Sequence, residues 1–358
     1  MNGNGRPRHR GAKAILLRLL AFAAVLCMTP AASFAEGAVS DGWATFLLIC
    51  NEGMNNDKGN AGNTMMVVSI SAEMGKIRLL QFTWDTFVHY EGYDVPQKLD
   101  MPYRNAGAEE ALKVFNENFG TDIKLYMSLN YLNLASLIDA YGGVTVEVTR
   151  AERNALNGMV ASKKNRLQDE VGAGLLTQAI IDALANDYYL NDYGPETHLN
   201  GLQAVGFGWL QYDSVYNCCE REVDVIGSLF GSVGRDISGK VLFYNDAAGE
   251  PEDDYGKHPI NLDRIGDEDM QFLRRAISPI FEKAFHNLKD EDIDGFTVAL
   301  AKTAYAAARQ GVNIFDAIDV MVLPLEAQDE YDIIAGAKGH LIDVEANAKA
   351  LRDFLYGD

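Results

Sequence analysis

Apolar residues rich in β-branched and aromatic side chains gather in short runs at Trp43 to Cys50, Thr64 to Ile70, Ile77 to Val88, Ile123 to Leu129, Val144 to Val148 and Ala317 to Leu323. Runs of this length and composition predict strands. Between them the apolar positions change to helical spacing. Helices are predicted over Ala108 to Phe119, stopped by Gly120; over Leu132 to Tyr141, stopped by Gly142-Gly143; and over Gly174 to Tyr189. Further helices are predicted over Asp267 to Leu288 with an internal break at Pro279, over Phe296 to Gln310 ended by Gly311, and over Asp343 to Tyr356. The alternation predicts a layered α/β domain whose helices cover a sheet. No fixed-period repeat and no Ser, Pro or Gly linker divides the chain, so residues 36–358 read as a single domain. Gly231 to Asp267, with Asn245-Asp246, Gly249-Glu250-Pro251 and the acid run Glu252-Asp253-Asp254, predicts a long surface insertion.

The amino terminus follows other rules. Residues 1–18 carry Arg6, Arg8, Arg10, Lys13 and Arg18 with no acid, Leu19 to Met28 form an apolar run, and Ser33-Phe34-Ala35 has the form of a signal-peptidase site. Residues 1–35 are therefore expected to be a signal peptide cut after Ala35, which makes the protein secreted or extracytoplasmic. An uncleaved anchor is the alternative, although the run is about half of the roughly twenty residues that a spanning helix needs. Cys27 follows Leu26, where a lipoprotein signal wants a small residue.

Charge narrows the partners. The 358 residues hold 31 Lys+Arg against 51 Asp+Glu, a formal charge of −20, and loss of the basic leader makes the chain more acidic still. Nucleic acid is excluded as a partner, because binding it needs a basic face. With 48% apolar and 23% charged residues the composition is that of a globular domain, not of an acidic tail. After the leader three cysteines remain, Cys50, Cys218 and Cys219. An odd number in an exported chain implies one disulfide and one thiol, and adjacent cysteines rarely pair, so Cys50 is expected to bridge to one of the other two.

Familiar catalytic signatures are missing. There is no phosphate-cradling glycine loop ending in Lys and Ser/Thr, no nucleophile elbow, no helical pair of histidines and no Cys-x-x-Cys. His9, His89, His198, His258, His286 and His340 are widely separated, and Gly206-x-Gly208 runs into Trp209 where a dinucleotide fingerprint needs another glycine. Asp290-Glu291-Asp292-Ile293-Asp294-Gly295 has the form of half a calcium loop, but Ala301 stands where a bidentate Glu belongs. The same acids better suit the start of the following helix, at the positive end of its dipole.

An ordered series of short motifs carries more information. Asn63-Thr64-Met65-Met66-Val67-Val68-Ser69-Ile70 is followed by Lys76-Ile77-Arg78-Leu79-Leu80, Trp84-Asp85-Thr86, Lys98-Leu99-Asp100, Ala111-Leu112, Leu137-Ile138-Asp139-Ala140-Tyr141-Gly142-Gly143-Val144-Thr145-Val146, Leu199-Asn200-Gly201-x-Gln203-Ala204 and Glu220-Arg221. This series resembles the LytR-CpsA-Psr (LCP) family, also called cell envelope-related transcriptional attenuator domains, from about Trp43 onward. The resemblance implies an α-β-α sandwich with a central mixed sheet and an apolar cavity for a lipid. It also implies an extracytoplasmic phosphotransferase that moves a glycopolymer from a polyprenyl-pyrophosphate carrier to peptidoglycan. Such chemistry is mostly positioning and charge neutralisation, which arginine forks and a hard cation supply.

The family's charged positions are altered in this chain. Its Arg-x-Asp-Thr reads Ala61-Gly62-Asn63-Thr64, and its Pro-Arg-Asp-Thr reads Thr83-Trp84-Asp85-Thr86. Its Tyr-Ala-Arg-x-Arg reads Phe207-Gly208-Trp209-Leu210-Gln211, and its Gly-Arg-x-x-Arg-Gln reads Asn217-Cys218-Cys219-Glu220-Arg221-Glu222. By this resemblance Asp85 and Arg221 are the remnants of the catalytic set, either as a clamp or as a salt bridge to each other, and Asp85 is the metal candidate. Asn63, Trp84, Lys98, Arg104, Trp209 and Gln211 are the binding candidates. The resemblance also places Cys50 and Cys218 at one cavity mouth, which selects them as the disulfide pair. The expected function is a secreted cell-envelope protein with a degenerate phosphotransferase pocket that binds a polyprenyl-linked lipid or envelope glycan near the membrane surface, with no cofactor. The alternative is an active phosphotransferase using Mg2+, in which Asp85, Arg221, Arg104 and Lys98 suffice.

Overall fold

The fold comes from a computed structural model, which describes residues 39–40, 42–51, 61–172, 187–246, 262, 265–311, 313–325 and 332–356. The predicted signal peptide, and nearly all of the helix predicted over Gly174 to Tyr189, lie outside the described residues. No helix among them is long and apolar enough to cross a membrane.

Every predicted strand forms, and most belong to one sheet. β1 (Val39–Ser40), β2 (Trp43–Asn51), β3 (Gly62–Ser71), β4 (Lys76–Phe82), β7 (Leu125–Asn130), β10 (Phe285–His286) and β11 (Ile318–Leu323) make a seven-stranded sheet of order β10-β7-β2-β3-β4-β11, with β1 pairing beside β2. β2, β3 and β4 pair antiparallel, whereas β2 with β7 and β4 with β11 are parallel, so the sheet is mixed. Alternation along each strand sorts its side chains onto two faces. Phe46, Leu48, Cys50, Met66 and Val68 belong to one core, and Leu47, Ile49, Met65, Val67, Leu80 and Phe82 belong to the other. Burial on both faces explains why these strands read as continuous apolar runs.

The helices are α1 (Met101–Ala106), α2 (Ala108–Phe119), α3 (Tyr131–Ala140), α4 (Arg150–Gly172), α5 (Gly201–Gly208), α6 (Val215–Asp246), α7 (Asp267–Glu282), α8 (Asp290–Arg309) and α9 (Val344–Tyr356). Helices α2 and α9 supply Phe115, Phe119, Leu351 and Leu355 to the second core, while α3, α6 and α8 supply Leu137, Ile226, Val233 and Phe296 to the first. This is the predicted layered sandwich. A small sheet of β5 (Thr86–Val88), β6 (Gln97–Lys98), β12 (Asp332–Ile334) and β13 (Ala337–Leu341) stands apart, as does an antiparallel pair of β8 (Val144–Val148) with β9 (Gly194–Leu199), which are separated in sequence by a helix.

Three expectations are corrected. The run Ile77 to Val88 is two strands, because Thr83 N–H donates to Leu323 O at 2.9 Å and Thr86 N–H to Thr83 O at 3.1 Å, which turns the chain into the second sheet. Gly231 to Asp246 is not a surface loop but the continuation of α6, with Val233 and Ile237 buried. Its glycines signal close packing: a Cβ on Gly231 would lie 2.1 Å from the Phe315 ring and one on Gly234 2.9 Å from Ile314. The rest of the predicted insertion lies almost entirely outside the described residues. The helix α7 runs through Pro279 and stops at Glu282, ahead of β10. The acids at 290–294 open α8, as the sequence favours: Asp292 Oδ2 accepts from Lys289 N–H at 2.8 Å and Asp294 pairs with Arg274.

Candidate functional site

The sequence-predicted residues collect where β3 begins, where β4 ends, and where α6 starts. Glycine builds the approach to this end of the sheet, because a Cβ on Gly201 would sit 1.9 Å from Ala135 O, so α5 rests directly on α3. The loop after α5, which carries Gln211, then leads back to α6.

Arg221 is the most committed residue of the site. It projects from the first turns of α6, is only 1% exposed, and reaches Asp213 with both arms, Nη1 to Oδ2 at 3.0 Å and Nη2 to Oδ1 at 2.8 Å. Nη2 also donates to Leu210 O, Glu152 Oε1 lies 3.6 Å from Nη1, and the Tyr212 ring packs 5.2 Å from the guanidinium carbon. Burial works against the charge, but hydrogen bonding and attraction from Asp213 raise the affinity of Arg221 for its proton above the ordinary value. For Asp213, burial is outweighed by Arg221, which holds its carboxyl below the usual range. The fork is thus filled by the protein's own acids, and the expected ion pair between Arg221 and Asp85 does not form.

Asp85 has a different neighbour. It is 2% exposed, its Oδ1 has no hydrogen-bond partner, and His340 Nε2 lies 3.9 Å from that oxygen. His340 arrives there because β13 pairs with β5, opposite Thr86, and its N–H donates to Asp85 O at 3.1 Å. Burial pushes the Asp85 carboxyl above its ordinary range, partly offset by His340, Thr83 and Lys98.

A buried carboxyl that sequence reasoning passed over lies between these two. Glu222 is 3% exposed, and its Oε2 accepts from Gln81 Nε2 at 2.8 Å while Oε1 and Gln81 Oε1 have no partner. Burial holds Glu222 well above the usual carboxylate range, with smaller opposing pulls from Thr64 and Arg221. A signal for it existed: Cys219, Glu222, Ile226 and Val233 follow helical spacing, which puts Glu222 on the apolar stripe of α6. Gln81, Asp213, Glu152 and His340 carried no comparable local signal.

The cysteines surround the same carboxyl as free, buried thiols, so the expected Cys50–Cys218 disulfide is absent. Cys218 Sγ donates to Gly208 O at 3.2 Å, and Cys219 Sγ lies 3.8 Å from Gln81 Nε2. Burial raises the affinity of all three thiols for their protons, and Glu222 adds to it. Such thiols are poor nucleophiles.

The remaining candidates are scattered around this core. Lys98 Nζ sits 4.9 Å over the Trp84 ring, whose buried Nε1 has no partner. Arg104 donates to Asp100 Oδ2 at 2.8 Å and is otherwise at the surface. Asn63 is half-buried in β3, and Gln211 is exposed. Trp209 Nε1 donates to Thr64 Oγ1 at 3.3 Å, and its ring packs on Tyr131, centroids 5.3 Å apart. Among the described residues the two indoles do not touch each other. On the first-core side of the sheet lies an apolar cavity lined by residues that include Phe46, Leu129, Leu137, Ile226, Phe230 and Ile280.

The sequence profile of the LytR_cpsA_psr family matches residues 35–216. The chain belongs to this family. Solved structures agree on the fold. That of TagV from B. subtilis has a TM-score of 0.56 at 13% identity, covering 88% of this chain and 98% of its own. That of gbs0355 from Streptococcus agalactiae scores 0.54 at 15% identity, covering 88% and 89%. B. subtilis TagT, solved bound to LIIa-WTA, scores 0.54 at 12% identity, covering 88% and 91%. No curated protein matches the sequence.

For an LCP chain a divalent cation is the implied partner of the site, and the donors here do not suit one. Asn63 offers a neutral amide, and burial raises the carboxyl of Asp85, which faces His340. Among the described residues no three His, Cys, Asp or Glu side chains converge as metal ligands. A hard cation prefers several charged oxygens in one shell.

Proposed function

We propose that this LCP protein is an exported cell-envelope component that holds a polyprenyl-linked lipid or an envelope glycan without transferring it. The observation that carries this reading is the state of Arg221, whose guanidinium is taken up by Asp213 and Leu210 O and so offers no free fork to a diphosphate. Charge-assisted hydrogen bonds contribute about 1.5–3 kcal/mol each, and the positions of the lost arginines carry Ala61, Trp84, Trp209, Gln211 and Cys218. A diphosphate approaching this site meets a strongly acidic protein, with no field to draw it in. The half-buried rings beside Thr64 supply contacts that need no charge.

Incubation of the protein with Mg2+ and a polyprenyl-diphosphate-linked saccharide is expected to yield no polyprenyl phosphate above the protein-free rate, alongside saturable binding of lipid or glycan. Metal-dependent release of the carrier would show that the pocket is catalytic.

A further inference from the structure

The two edges of the main sheet are finished differently. At one edge β10 gives β7 only two paired residues, and Asn287 closes the ladder beyond them with its side chain: its Oδ1 accepts from Tyr126 N–H at 2.8 Å and its Nδ2 donates to Lys124 O at 2.8 Å. A strand arriving there finds those groups taken. The other edge is β11, whose six residues pair in unbroken register with β4 on one side and, among the described residues, with no strand on the other. One bond gives its main-chain directions. Leu323 O accepts from Thr83 N–H at 2.9 Å on the β4 side, and main-chain groups alternate along a strand, so those of Asp319 and Met321 also turn inward while those of Ile318, Val320 and Val322 turn outward. Sheets ordinarily guard such an edge with lysine, proline or a bulge. β11 has none of these, its one charge, Asp319, is paired with Lys76 of the same chain, and Val320 is 52% exposed.

We infer that β11 is the seam of a two-fold dimer, in which it pairs antiparallel with β11 of a second copy about Val320. The fit of the strand to itself is what selects a second copy. With Val320 opposite its own counterpart, Ile318 stands opposite Val322 and Asp319 opposite Met321, each pair occurring twice. The residues whose main-chain groups turn outward are then the ones that meet, as an antiparallel ladder requires. One face gathers only β-branched side chains, a favourable cross-strand set, and the other sets each Asp319 against a methionine instead of its like charge. Neighbouring registers fit worse. Centring the pair on Asp319 opposes two like charges, and centring it on Met321 brings Pro324, which has no N–H, opposite Ile318. Such an isologous pair consumes both open edges and leaves the two outer ones closed by Asn287, so the main sheets stop at two copies. Each copy carries a formal −20, so the seam forms against repulsion between acidic chains, and salt strengthens it by screening. The pairing is independent of the ligand-holding role.

Sedimentation equilibrium of the full chain across the micromolar range is the test. Wild type is expected to move from the mass of one chain toward that of two as concentration rises, and to do so at lower concentration in high salt than in low. Val320→Lys is expected to keep the mass of one chain throughout while unfolding in urea as the wild type does. Should that variant fail to fold, Val320→Cys under mild oxidation gives a second reading. It is expected to link to its own counterpart, whereas Leu341→Cys, 54% exposed in the wild type but off the seam, is not, with the unmodified chain and its buried Cys50, Cys218 and Cys219 as the control. A single-chain mass at every concentration and salt would overturn the seam and leave the edge to a strand from another protein. Pairing that salt weakens, a folded Val320→Lys protein that still doubles its mass, or linking of Leu341→Cys as readily as Val320→Cys would overturn it as well.

Discussion

Arg221→Met is expected to lower the unfolding free energy by about 3–5 kcal/mol, the range for removing one partner of a buried ion pair. The side chain is 1% exposed and holds the loop after α5 through Asp213 and Leu210 O. Without it Glu152, itself 3% exposed, keeps its bonds from Thr149 but loses the nearby Arg221 charge. Arg221→Lys retains the charge but not the two-armed geometry, so it is expected to fall between the variant and the wild type. Urea unfolding of the three proteins at neutral pH checks the order. A ligand clamp would behave oppositely, because removing a cation from an open anion site relieves repulsion among cations and leaves the fold intact. Unchanged stability in Arg221→Met would therefore show that the arginine is held for a ligand.

Glu222→Gln is expected to stabilise the protein at neutral pH and to change the shape of its pH profile. The folded chain raises the Glu222 carboxyl above its ordinary value of 4.5 through burial, so between that value and the folded one the unfolded chain has released a proton that the folded chain retains. Stability then falls as pH rises through this window, at about 1.4 kcal/mol per pH unit for one group. Asp85, also raised by burial from 3.8, adds a loss of the same sign. The amide removes the Glu222 part of the slope while its oxygen still accepts from Gln81 Nε2. Urea unfolding from pH 4.5 upward is expected to show wild type and variant diverging as pH rises. Parallel profiles, or a less stable variant at neutral pH, would mean that Glu222 is ionised in the fold and paired there.

The layered fold was legible in the sequence because both faces of the main sheet are covered, which makes β2, β3, β4 and β7 apolar along their length. Gly231 and Gly234 misled because a helix interior ordinarily avoids glycine, and only the approach of Phe315 and Ile314 accounts for them. The end of β4 was hidden for a related reason, since the bond from Thr83 to Leu323 joins distant parts of the chain. In the site, Ala61, Asn63, Trp84, Trp209, Gln211 and Cys218 could be read directly at the positions to which the resemblance assigns arginines and a carboxylate. The partners of the two survivors could not. His340 reaches Asp85 through the pairing of β13 with β5, and Glu152 reaches Arg221 from another helix. The expectation of a disulfide came from counting cysteines in a chain expected to be exported and from the positions the resemblance gave Cys50 and Cys218, while the fold uses these thiols as small buried groups around Glu222.

Whether the pocket still grips a diphosphate is measured most directly by calorimetric titration of the full chain with farnesyl diphosphate, with and without Mg2+. With Arg221 bound to Asp213 and the donors around Asp85 unsuited to a divalent cation, no saturable Mg2+-dependent heat is predicted. Tight Mg2+-dependent binding that Arg221→Lys abolishes in a folded protein would contradict the account.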